Sequence, residues 1–369
     1  MSPFDITPLG RLIFGAGTLA QLGEVASALG RRALLISDPG LNSTAHPDRA
    51  KALLHAAGLS VSVFNGVKEN PTDAVVQLGV QAAAEHQADL LVALGGGSAM
   101  DCTKGINFLF TNGGRIADYR GHDKATKPML PSIGIPTTTG TGSEAQSYAL
   151  ITDASTHMKM ACGDKKVAFR VAILDPELTI TQPAFVSAVT GIDAISHAVE
   201  SFVSRKANPY SRMCALQAWN LLSRNFEKTL RSPKDIEARA NMQLGAYFAG
   251  MSIEASMLGV CHSCANPLTA HYSITHGVAI GLMLPHVVRF NAETVANDYQ
   301  TLTGSVDQLV QACKHFVQFA NLPTRLRDVG VHEGILPLLA HEANEQWTAR
   351  FNPREVTESD ILALYQAAW

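Results

Sequence analysis

An aspartate and a histidine stand four apart at Asp193 and His197, inside "GIDAISHAVESF" (191–202). Four residues make roughly one helical turn, so the two side chains share a face. Ile192, Ile195, Val199 and Phe202 make up the apolar remainder. A carboxylate and an imidazole on a largely apolar helix want a partner; the alternative is a hydrogen-bonded Asp–His pair on a solvated face. Further along, "CHSCANPLTAHYSITHGVAIGLMLPH" (261–286) holds four of the thirteen histidines, His262, His271, His276 and His286, in apolar surroundings. Asp193, His197, His262 and His276 together make one carboxylate and three imidazoles, a donor set that suits Fe2+ or Zn2+. Cys261 and Cys264 have the C-x-x-C spacing, but no second pair accompanies them. They read as buried thiols, not as a zinc ribbon.

A different chemistry is suggested by "GGGSAMD" (95–101), directly after the apolar run "DLLVAL" (89–94), with Asp101 and Lys104 close behind. Amides at a strand-to-helix turn are free, the helix dipole favours an anion, and glycines let a phosphate come close. Gly96, Gly97 and Ser98 therefore read as a pyrophosphate cradle, against a plain tight turn. "PTTTGTGSE" (136–144) adds hydroxyls and amides after another strand. Its alternative is a loop that caps a helix through Ser143 or Thr141. Asp38 ends an earlier strand, where an acid accepts bonds from a ribose 2′-OH and repels a 2′-phosphate. It could equally be a turn residue before Pro39. "GAGTLA" (15–20) half-matches the dinucleotide fingerprint, but no convincing buried strand precedes it. It reads as a turn leading into a helix.

These groups need elements to position them. "ALLIS" (33–37), "SVSVF" (60–64), "DLLVAL" (89–94) and "PSIGIPT" (131–137) read as strands. Helical patterns at 46–58, 72–87 and from about Ser98 fall between them. Gly58 suits a C-terminal stop and Thr72 an N-cap. Strand–helix alternation with near-continuous apolar strands predicts a parallel sheet covered on both faces. After "VAILDPELT" (171–179) the patterns turn helical, at 190–205, 208–226, 234–256, 261–272, 276–292, 305–320 and 357–368. The expectation is an α/β domain over 1–180 and an all-helical domain over 181–369.

The 369 residues suit one large or two ordinary domains. The net charge of −3 and the lack of any Lys/Arg run give no footprint for nucleic acid. No stretch approaches the ~20 apolar residues of a membrane helix. The start, "MSPFDITPLG", does not read as a signal peptide, and six scattered cysteines read as cytosolic thiols, so a cytoplasmic protein is expected.

Four segments together carry a resemblance: "ALGGGSAMDCTKGI" (93–106), "PTTTGTGSE" (136–144), "GIDAISHAVESFVS" (191–204) and "HSCANPLTAHYSITHGVAIGLMLPH" (262–286). In these the chain resembles the iron-containing (group III) alcohol dehydrogenases, from about residue 9 to the end. The resemblance implies a Rossmann-like NAD-binding domain and a helical metal-binding domain, a fold shared with glycerol dehydrogenases and dehydroquinate synthases, with the active site in the cleft. It implies Asp193, His197, His262 and His276 as ligands of Fe2+, or of Zn2+ as the alternative. It implies NAD contacts from Asp38, Asn70, Gly96, Gly97, Ser98, Asp101, Thr137, Thr138, Thr141 and Lys159. The implied reaction is reversible hydride transfer between a small alcohol or aldehyde and NAD(H), in a homodimer. The alternatives are a zinc polyol dehydrogenase on the same fold and an NAD-binding member with altered catalysis. One position departs from the family: the histidine often credited with proton relay, four residues after the third ligand, is here Asn266. Asparagine cannot change charge near neutral pH. His271 is the candidate substitute, against its being a buried, satisfied histidine.

Overall fold

The structure is a computed structural model and describes residues 4–7, 9–156 and 158–369. It divides into two compact units. One comprises Thr7–Gln182; the other comprises Pro183–Trp369 with the short segment that ends at Ile6.

In the first unit the chain runs β1 (Arg11–Phe14), α1 (Leu22–Ser27), β2 (Arg32–Ile36), α2 (His46–Ala56), β3 (Ser60–Phe64), α3 (Asp73–His86), β4 (Leu90–Gly95) and α4 (Gly97–Asn112). It continues through β5 (Gly121–His122), β6 (Ser132–Pro136), β7 (Tyr148–Thr152), β8 (Lys159–Gly163) and β9 (Val171–Leu174). Six strands form a parallel sheet in the order β1-β9-β6-β4-β2-β3, and β5, β8 and β7 form a small second sheet. The central strands β4 and β6 are buried along their whole length. Alternate residues explain why: Leu34, Ile36 and Leu91 pack under α3 and α4, while Ala33, Leu35, Leu90 and Val92 pack under α1 and α2. A strand covered on both faces has no polar side, hence the unbroken apolar runs.

Because β2, β4 and β6 are neighbours and parallel, their carboxyl ends lie side by side. Asp38, the glycine turn and the threonine loop follow those three ends. Such an end is where open α/β sheets bind ligands.

"GAGTLA" is preceded by a strand after all. β1 pairs with β9 at the edge of the sheet, and only Ile13 of its four residues is buried. Its half-exposed edge position explains the weak apolar signal. The turn after it carries its own anion: Asp175 accepts from the Gly17 and Leu19 amides at 3.1 and 3.0 Å. The amides that would greet a phosphate there are already taken.

The second unit is helical: α5 (Ala184–Val203), α6 (Pro209–Arg231), α7 (Ile236–Ala255), α8 (Val260–Tyr272), α9 (His276–Thr303), α10 (Val306–Phe319), α11 (Leu336–Asn344) and α12 (Glu358–Ala368). No single helix is long and apolar enough to cross a membrane. α5 starts six residues earlier than the 190–205 pattern suggests, and from Ser187 to Val203 it is buried nearly all round. α6, α7 and α9 pack directly on it. It approaches α9 closely, since a Cβ on Gly277 would fall 2.0 Å from the Val189 carbonyl oxygen. Glycine here sets the distance between the helices that carry Asp193 and His276.

Gly277→Ala should therefore push α5 and α9 apart. Overpacking of this kind costs about 1–3 kcal/mol. The expected outcome is a lower denaturant midpoint with an unchanged slope, together with weaker divalent-cation binding in equilibrium dialysis. An unchanged midpoint would show that the two helices can relax without cost.

Candidate active site

Asp193 sits midway along α5, with His197 one turn on and Glu200 a further three residues on, all along one stripe. α8 brings His262 to this stripe and α9 brings His276, its first residue. Asp193 Oδ1 lies 3.3 Å from His197 Nε2, 3.5 Å from His262 Nε2 and 3.7 Å from His276 Nε2. Ligand atoms of Asp193, His262 and His276 all fall within 4.8 Å of one another. His197 adjoins them through Asp193 and stacks on the His262 ring at 5.0 Å. A tetrahedral ion with bonds of about 2.1 Å has edges of about 3.4 Å, so these separations are those of a ligand set around one small cation.

The electrostatics agree. Burial alone would raise the Asp193 carboxyl, but the charges of His197 and His276 and hydrogen bonds from His197 and His262 hold it well below its ordinary range. Asp193 Oδ1 and His262 Nε2 are buried, and among the described residues their contacts, 3.5 Å between the two, are too long or poorly aligned to satisfy either atom. Two such atoms facing one point are costly unless something binds both. His262 Nδ1 is spoken for: it donates to Glu200 Oε2 at 2.5 Å, while Glu200 Oε1 accepts from the Cys261 amide at 2.8 Å. A ring that gives its Nδ1 proton to a carboxylate turns the Nε2 lone pair outward, as a metal ligand must. Burial lowers the His262 pKa, but Asp193 and Glu200 outweigh it and push it up to about 9.

In the α/β unit the glycine turn is bare because its neighbours close on it. A Cβ on Gly95 would meet Asp38 Oδ2 at 2.8 Å, one on Gly96 would meet Thr138 Cγ2 at 3.2 Å, and one on Gly97 would meet Thr141 Cγ2 at 2.5 Å. The Thr137 amide donates to the Gly95 carbonyl. Asp38, Gly96, Gly97, Thr137, Thr138 and Thr141 are thus drawn into one patch, with Ser98 in the first turn of α4. Gly96 caps α4 in extended conformation, and among the described residues no side-chain cap bond closes the start of the helix. Here, unlike at Gly17, no carboxylate among the described residues bonds the amides of the turn. Burial raises the Asp38 carboxyl against backbone bonds, notably from Gly40, that favour its charge. Asn70, at a left-handed φ of 50°, precedes Pro71, whose carbonyl accepts from the Thr152 amide; Thr152 in turn pairs with Lys159. Asn70 and Lys159 therefore flank the same strand end. Asp101 accepts from Ser143 Oγ at 2.6 Å and feels the charge of Lys159. It holds the threonine loop to α4 through that bond.

The two remaining candidates lie elsewhere in the helical unit. His271, at the end of α8, pairs with Glu342 at 2.8 Å on a partly exposed face. It joins none of the four converging groups, and it is not the buried, satisfied histidine of the alternative. Five residues past Asn266, or nine past His262, the helix has turned it away, so its placement gives no support to a relay. Asn266, one turn beyond His262, donates through Nδ2 to Gln346 Oε1 at 3.1 Å.

The model of the iron-containing alcohol dehydrogenase family matches residues 10–176, and that of the family's C-terminal domain matches residues 187–369. The chain belongs to the iron-containing alcohol dehydrogenase family. It is 36% identical to alcohol dehydrogenase 4 of Schizosaccharomyces pombe, over 96% of this chain and 87% of that one. It is 34% identical to the NAD-dependent methanol dehydrogenase of Bacillus methanolicus, over the full length of both. Its fold superposes on a crystal structure of 1,3-propanediol oxidoreductase with a TM-score of 0.97, at 33% identity and full coverage of both chains.

Members of this family use NAD and iron or another divalent metal. The residues present fit both. With neutral imidazoles, Asp193 and Glu200 leave the helical site with two negative charges, which a divalent cation balances. Glu200 was not legible as a functional residue, although its spacing from Asp193 and His197 was available as a signal. Lys104 was likewise not assigned a role. It is buried, and its ammonium donates to Ser143 O, Ser143 Oγ and Tyr148 O at 2.7, 2.8 and 2.6 Å. It ties the end of the threonine loop to α4.

Glu200→Gln should lower divalent-cation affinity roughly 10–100-fold, because the His262 tautomer is no longer enforced. Chelator competition would measure it; an affinity equal to wild type would remove Glu200 from the site. A second expectation concerns Glu144, in the same loop, whose carboxyl burial raises to about 7 from an ordinary 4.5. Between those values the folded chain holds a proton that the unfolded chain has lost, so this group makes stability fall as pH rises, until about 7. Glu144→Gln removes that slope. Melting temperatures from about pH 5 to 8 should show the variant gaining on wild type up to neutrality and running parallel above it.

Proposed function

We propose that this protein catalyses reversible hydride transfer between a small primary alcohol, or its aldehyde, and NAD(H), with Fe2+ in the helical site and Zn2+ as the alternative. The observation that carries the reading is the convergence of Asp193 Oδ1 with three imidazole Nε2 atoms at 3.3–3.7 Å in a member of this family. A bound divalent cation supplies Lewis acidity, which lowers the pKa of an alcohol oxygen and polarises a carbonyl. The protein's own groups do the rest. Asp193, His197, His262 and His276 hold the cation, and Glu200 orients His262. The amides of Gly96, Gly97 and Ser98, with the hydroxyls of Thr137, Thr138 and Thr141, take the dinucleotide's pyrophosphate side. Asn70, Asp101 and Lys159 are assigned further contacts to the same dinucleotide in this reading. Asp38 accepts from a ribose 2′-OH and opposes a 2′-phosphate, which favours NAD over NADP. Asn266 and Gln346 offer neutral hydrogen bonds where a titrating relay would otherwise stand.

Relatives named for methanol and propanediol support a short, unbranched alcohol as the substrate class. As part of the same reading we place the protein in the cytoplasm, since its six cysteines are buried free thiols. We read it as a homodimer with no nucleic-acid or membrane partner, an expectation from the family resemblance and from its slightly negative charge.

The test is anaerobic loading with Fe2+ or Zn2+, followed by NADH consumption on a panel of small aldehydes with NADPH alongside. Turnover should need the cation and prefer NADH. His262→Ala should lose it while still binding NADH, and Asp38→Ser should raise the NADPH rate relative to NADH. Full turnover by His262→Ala at full metal occupancy would refute the ligand assignment. Cation and NADH bound with no turnover on any aldehyde would favour an NAD-binding member whose Asn266–Gln346 pair has changed the chemistry.

A further inference from the structure

His286 is the last histidine of the 262–286 segment and takes no part in the carboxylate cluster. It lines a pocket of about 390 Å³ in the helical unit, bounded by α9, α10, the turn at 324–327 and the end of α12. The floor is apolar, with buried Leu282, Pro285 and Val317. Trp369 forms one wall, and its ring is fixed by a hydrogen bond from Nε1 to the Val331 carbonyl at 3.0 Å. A pocket of this size, floored by apolar side chains and walled by an anchored aromatic ring, is suited to a small organic molecule.

Its charge says which kind. Lys314, Arg325 and Arg327 line the pocket, and no aspartate or glutamate does. Among the described residues none of the three forms an ion pair with an acid. Elsewhere in the same unit, surface arginines meet carboxylates closely: Arg212 with Asp298 at 2.6 Å, Arg289 with Asp307 at 2.7 Å, Arg354 with Glu293 at 3.0 Å. Three basic side chains around one cavity, none paired with an aspartate or glutamate among the described residues, give the pocket a local excess of positive charge in a chain of net charge −3. The Arg327 guanidinium lies 5.6 Å from the centre of the Trp369 ring, which orients it at the wall. Burial, and then the charge of Lys314, lower the His286 pKa, so near neutral pH its ring offers a neutral hydrogen bond.

We propose that this pocket binds a small organic dianion of the phosphate monoester class, its charge held by Lys314, Arg325 and Arg327 and its apolar or aromatic body against Trp369 and the floor. The site belongs wholly to the helical unit and shares no residue with the metal or dinucleotide groups. It therefore stands whether or not the proposed reaction does.

The probe is phenyl phosphate, titrated calorimetrically into metal-loaded protein with NADH saturating, so that the dinucleotide site is filled. The expected result is one saturable site per chain, weakened by salt and tighter than for inorganic phosphate. Arg325→Gln with Arg327→Gln should weaken it at least about 10-fold, because two charge-assisted bonds are lost, and leave NADH affinity and turnover unchanged. All three basic side chains are exposed, so the fold should tolerate the change. Arg325→Lys with Arg327→Lys should retain part of the affinity. No saturable binding at millimolar probe, equal affinity in the double glutamine variant, or displacement by NADH would each overturn the site. Equal affinity for inorganic phosphate would overturn the assignment of an apolar body.

Discussion

Two carboxylates buried on one apolar helix set the terms for the helical unit. Asp193 and Glu200 both face inward from α5, and neither can remain ionised there without positive or hydrogen-bonding partners. The neighbouring helices are arranged to supply them. α8 delivers both His262 and its own Cys261 amide to Glu200, so one carboxylate caps a helix and orients a ring at once. That approach requires Gly259 at the start of α8, where a Cβ would meet Glu200 Oε1 at 2.9 Å. α9 begins with His276, and Gly277 follows it so that the helix can lie against the α5 backbone. The packing distances of three helices therefore follow from the need to surround two acids.

The α/β unit has a complementary feature, a helix start at which no side-chain cap among the described residues takes up the amides. Its two glycine turns make the contrast. After β1, Asp175 occupies the amides of Gly17 and Leu19, and that turn is structurally complete. After β4, the helix begins at Gly96 with no side-chain cap, and Asp38, Thr138 and Thr141 crowd close enough to exclude any Cβ. The buried ammonium of Lys104 stabilises this arrangement from beneath by fixing Ser143 and Tyr148. An incomplete anion site held rigid on every side is preorganised for an external phosphate.

Much of this was legible in the sequence, and the exceptions have physical reasons. β2, β4 and β6 were readable to within one or two residues, because strands buried on both faces leave apolar runs, and the edge strand β3 was readable to the residue because its serines and its Val and Phe residues alternate. β1 was missed because an edge strand needs only one buried side chain. β7 and β8 were missed because their small sheet is only partly buried, so their burial pattern is irregular. The four side chains that converge, Asp193, His197, His262 and His276, could be named from residue type and spacing, since α5 carries two of them one turn apart. Glu200 and Lys104 could not. A charged residue inside an apolar helix announces that it needs a partner, but the partner lies on an element whose approach only the fold reveals. The same limit explains His271. Its residue type suited a relay, but its angular position on α8 sends it to Glu342 instead.

Asn266 stands where that angular logic does favour a role, one turn beyond His262 on α8. Its amide nitrogen is committed to Gln346 Oε1, and Gln346 Nε2 contacts the Glu342 carbonyl at 3.5 Å. This chain of amides fixes the Asn266 side chain, so its carbonyl oxygen has a defined orientation. Neither amide gains or loses a proton near neutral pH. The polar contact the pair offers is therefore constant across the pH range in which an imidazole would switch. What an amide lacks in proton transfer at this position it keeps in a fixed orientation.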